Sequence, residues 1–324
     1  MSDKFIFQNA RIKALETKLL TSQNLTRVLD ATSQDECFKI LQELGFGMGI
    51  TVEQNDFDLL FSHEEATALA LLKEFNVDNS LDAFLVQADY NNLKALIKAE
   101  IVKNDDPILM EAGLYDVDAL RQAVKEGKGS NLPKYMVEVL TKIERMLIED
   151  KVTPHTIDTL VDKAMYQDIL ARVRKEEQII KDYFVKKIDF LNIAAFIRCK
   201  GLGLDDNFFE NGFIEGGKLN LELFHSIYEQ GLDAFKEKAR YTDYKELVNK
   251  VVDSGNVVEM EVDMDNALLK MWKDNSDDMF SIAPVVSYYL SKCTEIKTLK
   301  LIVAGIKNKV NPEIIRERMR DLYA

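Results

Sequence analysis

The chain is poor in the residues that interrupt regular structure. Its 324 residues include 14 Gly and 5 Pro, too few turn formers for a β-sandwich or barrel of many short strands. Cysteine is scarce too: Cys37, Cys199 and Cys293 stand far apart. An odd count without close spacing argues against a disulfide framework or a cysteine metal knuckle, and suits isolated thiols in a reducing compartment. His63, His155 and His225 are the three histidines, and none stands in an HExxH or triad-like context. Each reads as a surface or helix-end residue. Long apolar runs are missing as well. Leu301–Ile306 and Ile193–Ile197 fall far short of the ~20 residues a membrane helix needs. The opening residues are charged and amphipathic, so no secretory leader is expected. Positive charge is in deficit, with 42 Lys and Arg against 55 Asp and Glu, a net charge of −13. Such a surface repels phosphate backbones and anionic lipid, and no nucleic-acid partner is expected.

What remains is helical periodicity. The hydrophobic fraction is 47%, ample for burial, and the length suggests two or three subdomains. Between Tyr135 and Leu147 the apolar residues Met136, Val139, Leu140, Ile143 and Met146 follow the 3.6 period and mark one helix face. Ile169, Val173, Ile180 and Phe184 continue such a stripe along the next stretch. Thr153-Pro154 and Asn311-Pro312-Glu313 each pair a capping side chain with proline at the first helical position. The alternation of Val258, Met260, Val262 and Met264 is the one strand candidate in a chain read as all-α.

A phrase recurs through this helical background. "ADYNNLKALIKAE" (Ala88–Glu100), "KIDFLNIAAFIRCK" (Lys187–Lys200) and "TEIKTLKLIVAGIK" (Thr294–Lys307) align on Asp89, Asp189 and Glu295. Three residues later stand Asn92, Asn192 and Thr298, each followed by Leu or Ile and an apolar face. A second block, Leu109–Gly127, aligns with Phe213–Gly231: Glu111 with Glu215, Gly113 with Gly217, Asp116 with Asn220 and Leu120 with Phe224. The third copy keeps only the tail of that block, in Asn311, Glu313 and Ile315. A period near a hundred residues is far longer than a solenoid repeat and has the size of a small domain. The expectation is an internal triplication into helical units 1–127, 128–231 and 232–324, arranged about a pseudo-threefold axis with a central hollow. Asp89 and Asp189 read as helix-start caps that satisfy free amides. Arg198 and Lys200 suit a helix C-terminus. Asp89, Asn92, Asp189, Asn192, Arg198, Glu295 and Thr298 are thus taken as structural signature residues.

No catalytic constellation accompanies them. "EGGKL" (Glu215–Leu219) has Leu where a phosphate loop needs a hydroxyl, and "EGKGS" (Glu126–Ser130) lacks the spacing. Asp205–Gly217 has a calcium-loop composition, but Phe209 occupies a position that needs an oxygen donor. Tyr288 and Tyr289 read as packing residues. No catalytic, cofactor-binding or metal-binding residue is expected, and an interaction protein is favoured over an enzyme.

Three stretches carry a family resemblance: "FIFQNARIKALETKLL" (Phe5–Leu20), "DYFVKKIDFLNIAAFIRCKG" (Asp182–Gly201), and the ending from Ser281 to Met319. They resemble the C subunit of prokaryotic V-type (A-type) rotary ATPases, the counterpart of the eukaryotic d subunit. That resemblance covers the whole chain. It implies three similar helical domains arranged as a funnel, without catalysis or ion carriage of its own. It further implies a central-stalk socket on the cytoplasmic side of the membrane, peripheral to it and present in one copy. The implied partners are the membrane proteolipid ring and the D- and F-type subunits of the central axle, with torque passing between them during hydrogen or sodium ion transport. Acidic residues are expected to line the hollow. The third unit lacks the glycine-containing block, so its equivalence to the others is incomplete. A freestanding helical scaffold, and an all-α enzyme with an apolar pocket, are the two other classes the residues allow.

Overall fold

Helix after helix begins where the sequence supplies a cap. The structure, a computed structural model, describes residues 5–104, 107–127, 129 and 132–322. The chain starts with α1 (Ile6–Glu16), α2 (Ser22–Leu29), α3 (Gln34–Glu43) and α4 (Phe57–Glu74). It continues through α5 (Asp82–Val102), α6 (Val117–Glu126), α7 (Lys134–Ile148), α8 (Pro154–Arg172) and α9 (Gln178–Gly201). Then come α10 (Asp206–Gly212), α11 (Leu221–Tyr228), α12 (Leu232–Ala239) and α13 (Lys245–Ser254). The chain ends in α14 (Val257–Lys273), α15 (Ala283–Lys307) and α16 (Pro312–Arg316). No strand occurs among the described residues, and the fold class is all-α. Side chains of Thr21, Ser33, Asp56, Asp116, Thr153, Asp205, Asn220 and Asn311 each accept an amide of the helix they precede. Those amides have no partner within their own helix. Pro154 and Pro312 take the first helical positions, as expected.

Two local expectations fail. The alternating Val258–Met264 stretch is helix, not strand. Seven residues of alternation are too few to set a period, and from Val257 to Lys273 no Gly or Pro interrupts a helix. The stripe from Ile169 to Phe184 is not continuous either. After α8 the chain makes a short 3-10 turn at Val173–Lys175 and extends through Glu176 and Glu177 before α9 begins. Ile169, Val173, Ile180 and Phe184 are all buried, so the break falls in the charged run between them, where nothing apolar holds a helix against the core.

The chain divides into two compact bodies. The terminal body combines Met1–Phe75 with Val258–Ala324. Its axis is α15, which packs against α1, α2, α3, α4 and α16. Leu20, Leu25, Val28, Phe38, Leu41 and Phe61 from the first part meet Ile296, Leu299, Ile302 and Ile315 from the second in one core. A helix surrounded this way must be apolar around most of its circumference. The central body is Asn76–Val257, with α5 packed against α6 and α8, α7 against α8, and α12 against α13. Phe84, Tyr183 and Phe184 form one aromatic cluster within it. Phe196, Phe209, Phe224, Tyr228 and Phe235 form another. The second cluster holds α9 against the short helices α10 to α12 with offset and edge-on ring contacts.

Candidate functional site

The signature residues do not sit at helix starts. Asp89 and Asn92 lie midway along α5, and Asp189 and Asn192 midway along α9, all four buried. The capping reading is therefore wrong. A buried carboxylate in a helix interior finds that helix's own amides already used, and it is stable only when other donors reach it. Here the donors come from a loop. Asp89 accepts the amides of Leu114 (2.8 Å) and Tyr115 (3.2 Å). Asp189 accepts those of Lys218 (3.0 Å) and Leu219 (2.9 Å). One helical turn away, Asn92 exchanges two hydrogen bonds with the backbone of Met110, at 2.7 and 2.8 Å. Asn192 does the same with Ile214, at 2.8 and 2.9 Å. An acid takes two successive N–H groups and an amide side chain takes one N–H and one C=O, which together pin the loop.

The second sequence block explains why that loop fits. A Cβ on Gly113 would lie 2.0 Å from an Asp89 carboxylate oxygen, and one on Gly217 would lie 2.1 Å from an Asp189 oxygen. Glycine lets the backbone approach the acid closely. Immediately after each clamped segment, Asp116 caps α6 and Asn220 caps α11, and Leu120 and Phe224 are buried one turn further on. Each clamp has additional support. Arg172 donates to the Tyr115 hydroxyl (3.0 Å) while paired with Asp168 (2.9 Å) and Asp82 (3.2 Å). The hydroxyl of Tyr244 donates to Asp189 (2.5 Å). Burial, reinforced by that carboxylate, pushes the Tyr244 phenol well above its ordinary value.

Glu295 and Thr298 occupy the corresponding buried positions of α15. The loop Glu295 holds is not the one before Asn311. Its carboxylate accepts the amide of Leu20, from the far end of the chain. Leu20 precedes Thr21, the cap of α2, and Leu25 is buried four residues after that cap. The order of amide, cap and buried residue matches Tyr115–Asp116–Leu120 and Leu219–Asn220–Phe224. Sequence reasoning missed Leu20, Thr21 and Leu25. A cap followed four residues later by an apolar side chain was the available signal, and it is too common to be used unaided.

The other singled-out residues have ordinary partners. Arg198 is exposed in the last turn of α9, and Lys200 beside it donates to the Tyr228 carbonyl at 2.6 Å. His63 contacts the Met48 carbonyl, His155 stacks on Phe208, and His225 pairs with Asp206. His155 and His225 lie at helix ends, whereas His63 is inside α4. Tyr288 is buried. In "EGGKL" the amides of Lys218 and Leu219 are taken by Asp189; Lys128 and Ser130 of "EGKGS" lie outside the described residues. Burial pushes the Cys37 thiol up to about 11, where it is inert as a nucleophile at neutral pH. Among the described residues no group of His, Cys, Asp or Glu could hold a metal ion, and no helix is long and apolar enough to cross a membrane. An apolar groove of about 330 Å³ beside Ala99, Val102, Val152 and Ile157 includes Lys98. That ammonium is paired with Asp158, so the groove lacks a convergent set of reactive groups. The signature acids grip backbone amides.

A family model described as ATP synthase (C/AC39) subunit matches residues 8–318. The chain belongs to that family. It is thus a non-catalytic subunit of an A/V-type rotary ATPase. Among similar proteins, the A-type ATP synthase C subunit of Pyrococcus abyssi is 26% identical, over 98% of this chain and 90% of the relative. The V-type sodium ATPase C subunit of Enterococcus hirae is 23% identical, over 97% and 98%. The A-type ATP synthase C subunit of Methanocaldococcus jannaschii is 22% identical, over 98% and 86%. This C/AC39 protein therefore corresponds to those relatives along nearly its whole length.

Proposed function

We propose that the chain is the rotor socket of its ATPase. It receives the foot of the central axle, built from D- and F-type subunits, rests on the membrane proteolipid ring, and passes torque between them. It does so in one copy, peripherally, on the cytoplasmic side. In this reading the chain holds three similar helical domains forming a pseudo-threefold funnel. The observation that carries it is the family match along 8–318. The buried clamps support it, because a part that transmits torque must not let its loops slide along its helices. A charge-assisted bond to a backbone amide in a dry site is among the stiffer non-covalent joints available. The decisive experiment mixes the purified chain with its cognate axle subunits and detergent-solubilised ring. A one-to-one complex with each is expected, and axle affinity is expected to fall about tenfold between low and high salt, as screening of an acidic hollow requires. A chain that binds neither partner sinks the proposal.

A further inference from the structure

The third signature grips differently from the first two. Asp89 and Asp189 each meet two successive loop amides. Near α15 the amide of Leu19 is already taken by the Glu16 carbonyl at 3.0 Å, so the carboxylate of Glu295 receives that of Leu20 alone from this segment. Its other oxygen faces the ammonium of Lys292 at 3.4 Å. Lys292 is shared with Glu64 of α4 at 3.6 Å and lies 4.5 Å from the centre of the Phe46 ring. Glu64 in turn accepts the Gly47 amide at 2.9 Å. Thr298 stands where Asn92 and Asn192 bridge their loops, and its hydroxyl oxygen is buried without a hydrogen-bond partner among the described residues. Two carboxylates thus share one ammonium where the side chains of Glu295, Glu64 and Lys292 are 1%, 12% and 16% exposed.

We propose that Glu295, Lys292 and Glu64 form a releasable latch, which holds the α1–α2 joint (17–21) and the Gly45–Ile50 loop against α15 and opens without the rest of the terminal body. The surroundings define what moves. Helix α1 has a separate tie, because buried Asn9 donates to the carbonyls of Met279 and Ser281 at 2.9 Å each. The loop contains Gly45, Gly47 and Gly49 with φ of 93°, 77° and 92°. A Cβ on Gly47 would stand 2.7 Å from Leu60, so the loop seats on α4 as glycine. It displays Met48, 77% exposed.

Protons bias such a latch in a definite direction. The groups acting on Glu295 are Lys292 and Tyr288 of α15 and Glu64 of α4, while the α1–α2 side contributes the Leu20 amide, which does not titrate. Burial outweighs the help of Lys292 and raises the Glu295 carboxyl above the ordinary 4.5. The closed latch therefore binds a proton more tightly than the open one. Closure is favoured fully below that ordinary value and loses support as pH rises through the folded value.

Hydrogen-exchange mass spectrometry on the full chain tests this, comparing a peptide over 17–25 with one over 214–221 after correction for intrinsic rates. Relative protection of the first is expected to fall as pH rises from near 4.5 to near 8, because the raised Glu295 carboxyl loses its proton over that range. Lys292→Met leaves two buried carboxylates without a cation, and should lower protection of 17–25 by about tenfold at neutral pH while sparing 214–221. Glu295→Gln should keep the joint protected and flatten the pH response. A flat ratio in the unmodified chain overturns the proposal, as does equal loss of protection in both variants. Should Lys292→Met fail to fold, the pH series on the unmodified chain decides by itself.

Discussion

The central and terminal bodies begin from the same device, a buried acid halfway along a long helix, and complete it differently. In the central body each acid is matched by successive backbone amides, and an Asn one turn away adds a second pair of bonds. Amides do not titrate and cannot leave, so the match holds at any pH at which the acid is ionised. In the terminal body the acid is one carbon longer, has one loop amide, and leans on a lysine that a second acid also claims. A buried charge held by amides makes a fixed joint, whereas one held by a shared ion makes a conditional joint.

The largest test of that contrast replaces the acids. Asp189→Ala strands the amides of Lys218 and Leu219 and the Tyr244 hydroxyl, and should cost about 4 kcal/mol, since each buried unpaired donor costs roughly 1–3 kcal/mol. Glu295→Gln should change stability by less than about 1 kcal/mol, because the lost ion pair is offset by relief of a buried charge. Urea denaturation of both variants would show the difference, and equal costs would break the comparison. Glycine substitutions come next. Gly217→Ala drives a methyl onto the fixed Asp189 carboxylate and should cost about 2 kcal/mol. Gly305→Ala meets both Cδ1 and Cγ1 of buried, β-branched Ile315, so the core must give way, but alanine favours the helix by roughly 0.5–1 kcal/mol. Its net cost in the melting temperature should be smaller than that of Gly217→Ala. The last test is at Thr298. Thr298→Val removes a buried hydroxyl that has no partner among the described residues and should stabilise by about 0.5–1 kcal/mol. Asn192→Val at the matching place should destabilise clearly. A loss of stability in Thr298→Val would show that its hydroxyl has a partner after all.

Much of this was legible in the sequence. The scarcity of Gly and Pro, the 3.6 period and the caps at Thr153 and Asn311 are local properties, and local backbone preference is sufficient to determine an all-α chain. The residues that pin the loops were legible as well, because Asp89, Asn92 and Gly113 recur as Asp189, Asn192 and Gly217 in the same order. Their role was not. A carboxylate three residues before Asn is compatible with a cap or with a helix interior, and the choice depends on which amides lack a partner once the chain has packed. Likewise the seven residues from Val258 to Met264 fit two periods, and the uninterrupted helix into Trp272, buried in the terminal body, selects one. Least accessible of all was the partner of Glu295. Pattern along the chain says that a charge is buried, but its counterpart is whatever the fold brings within bonding distance. Here tertiary packing alone brought Leu20 there, from 275 residues away.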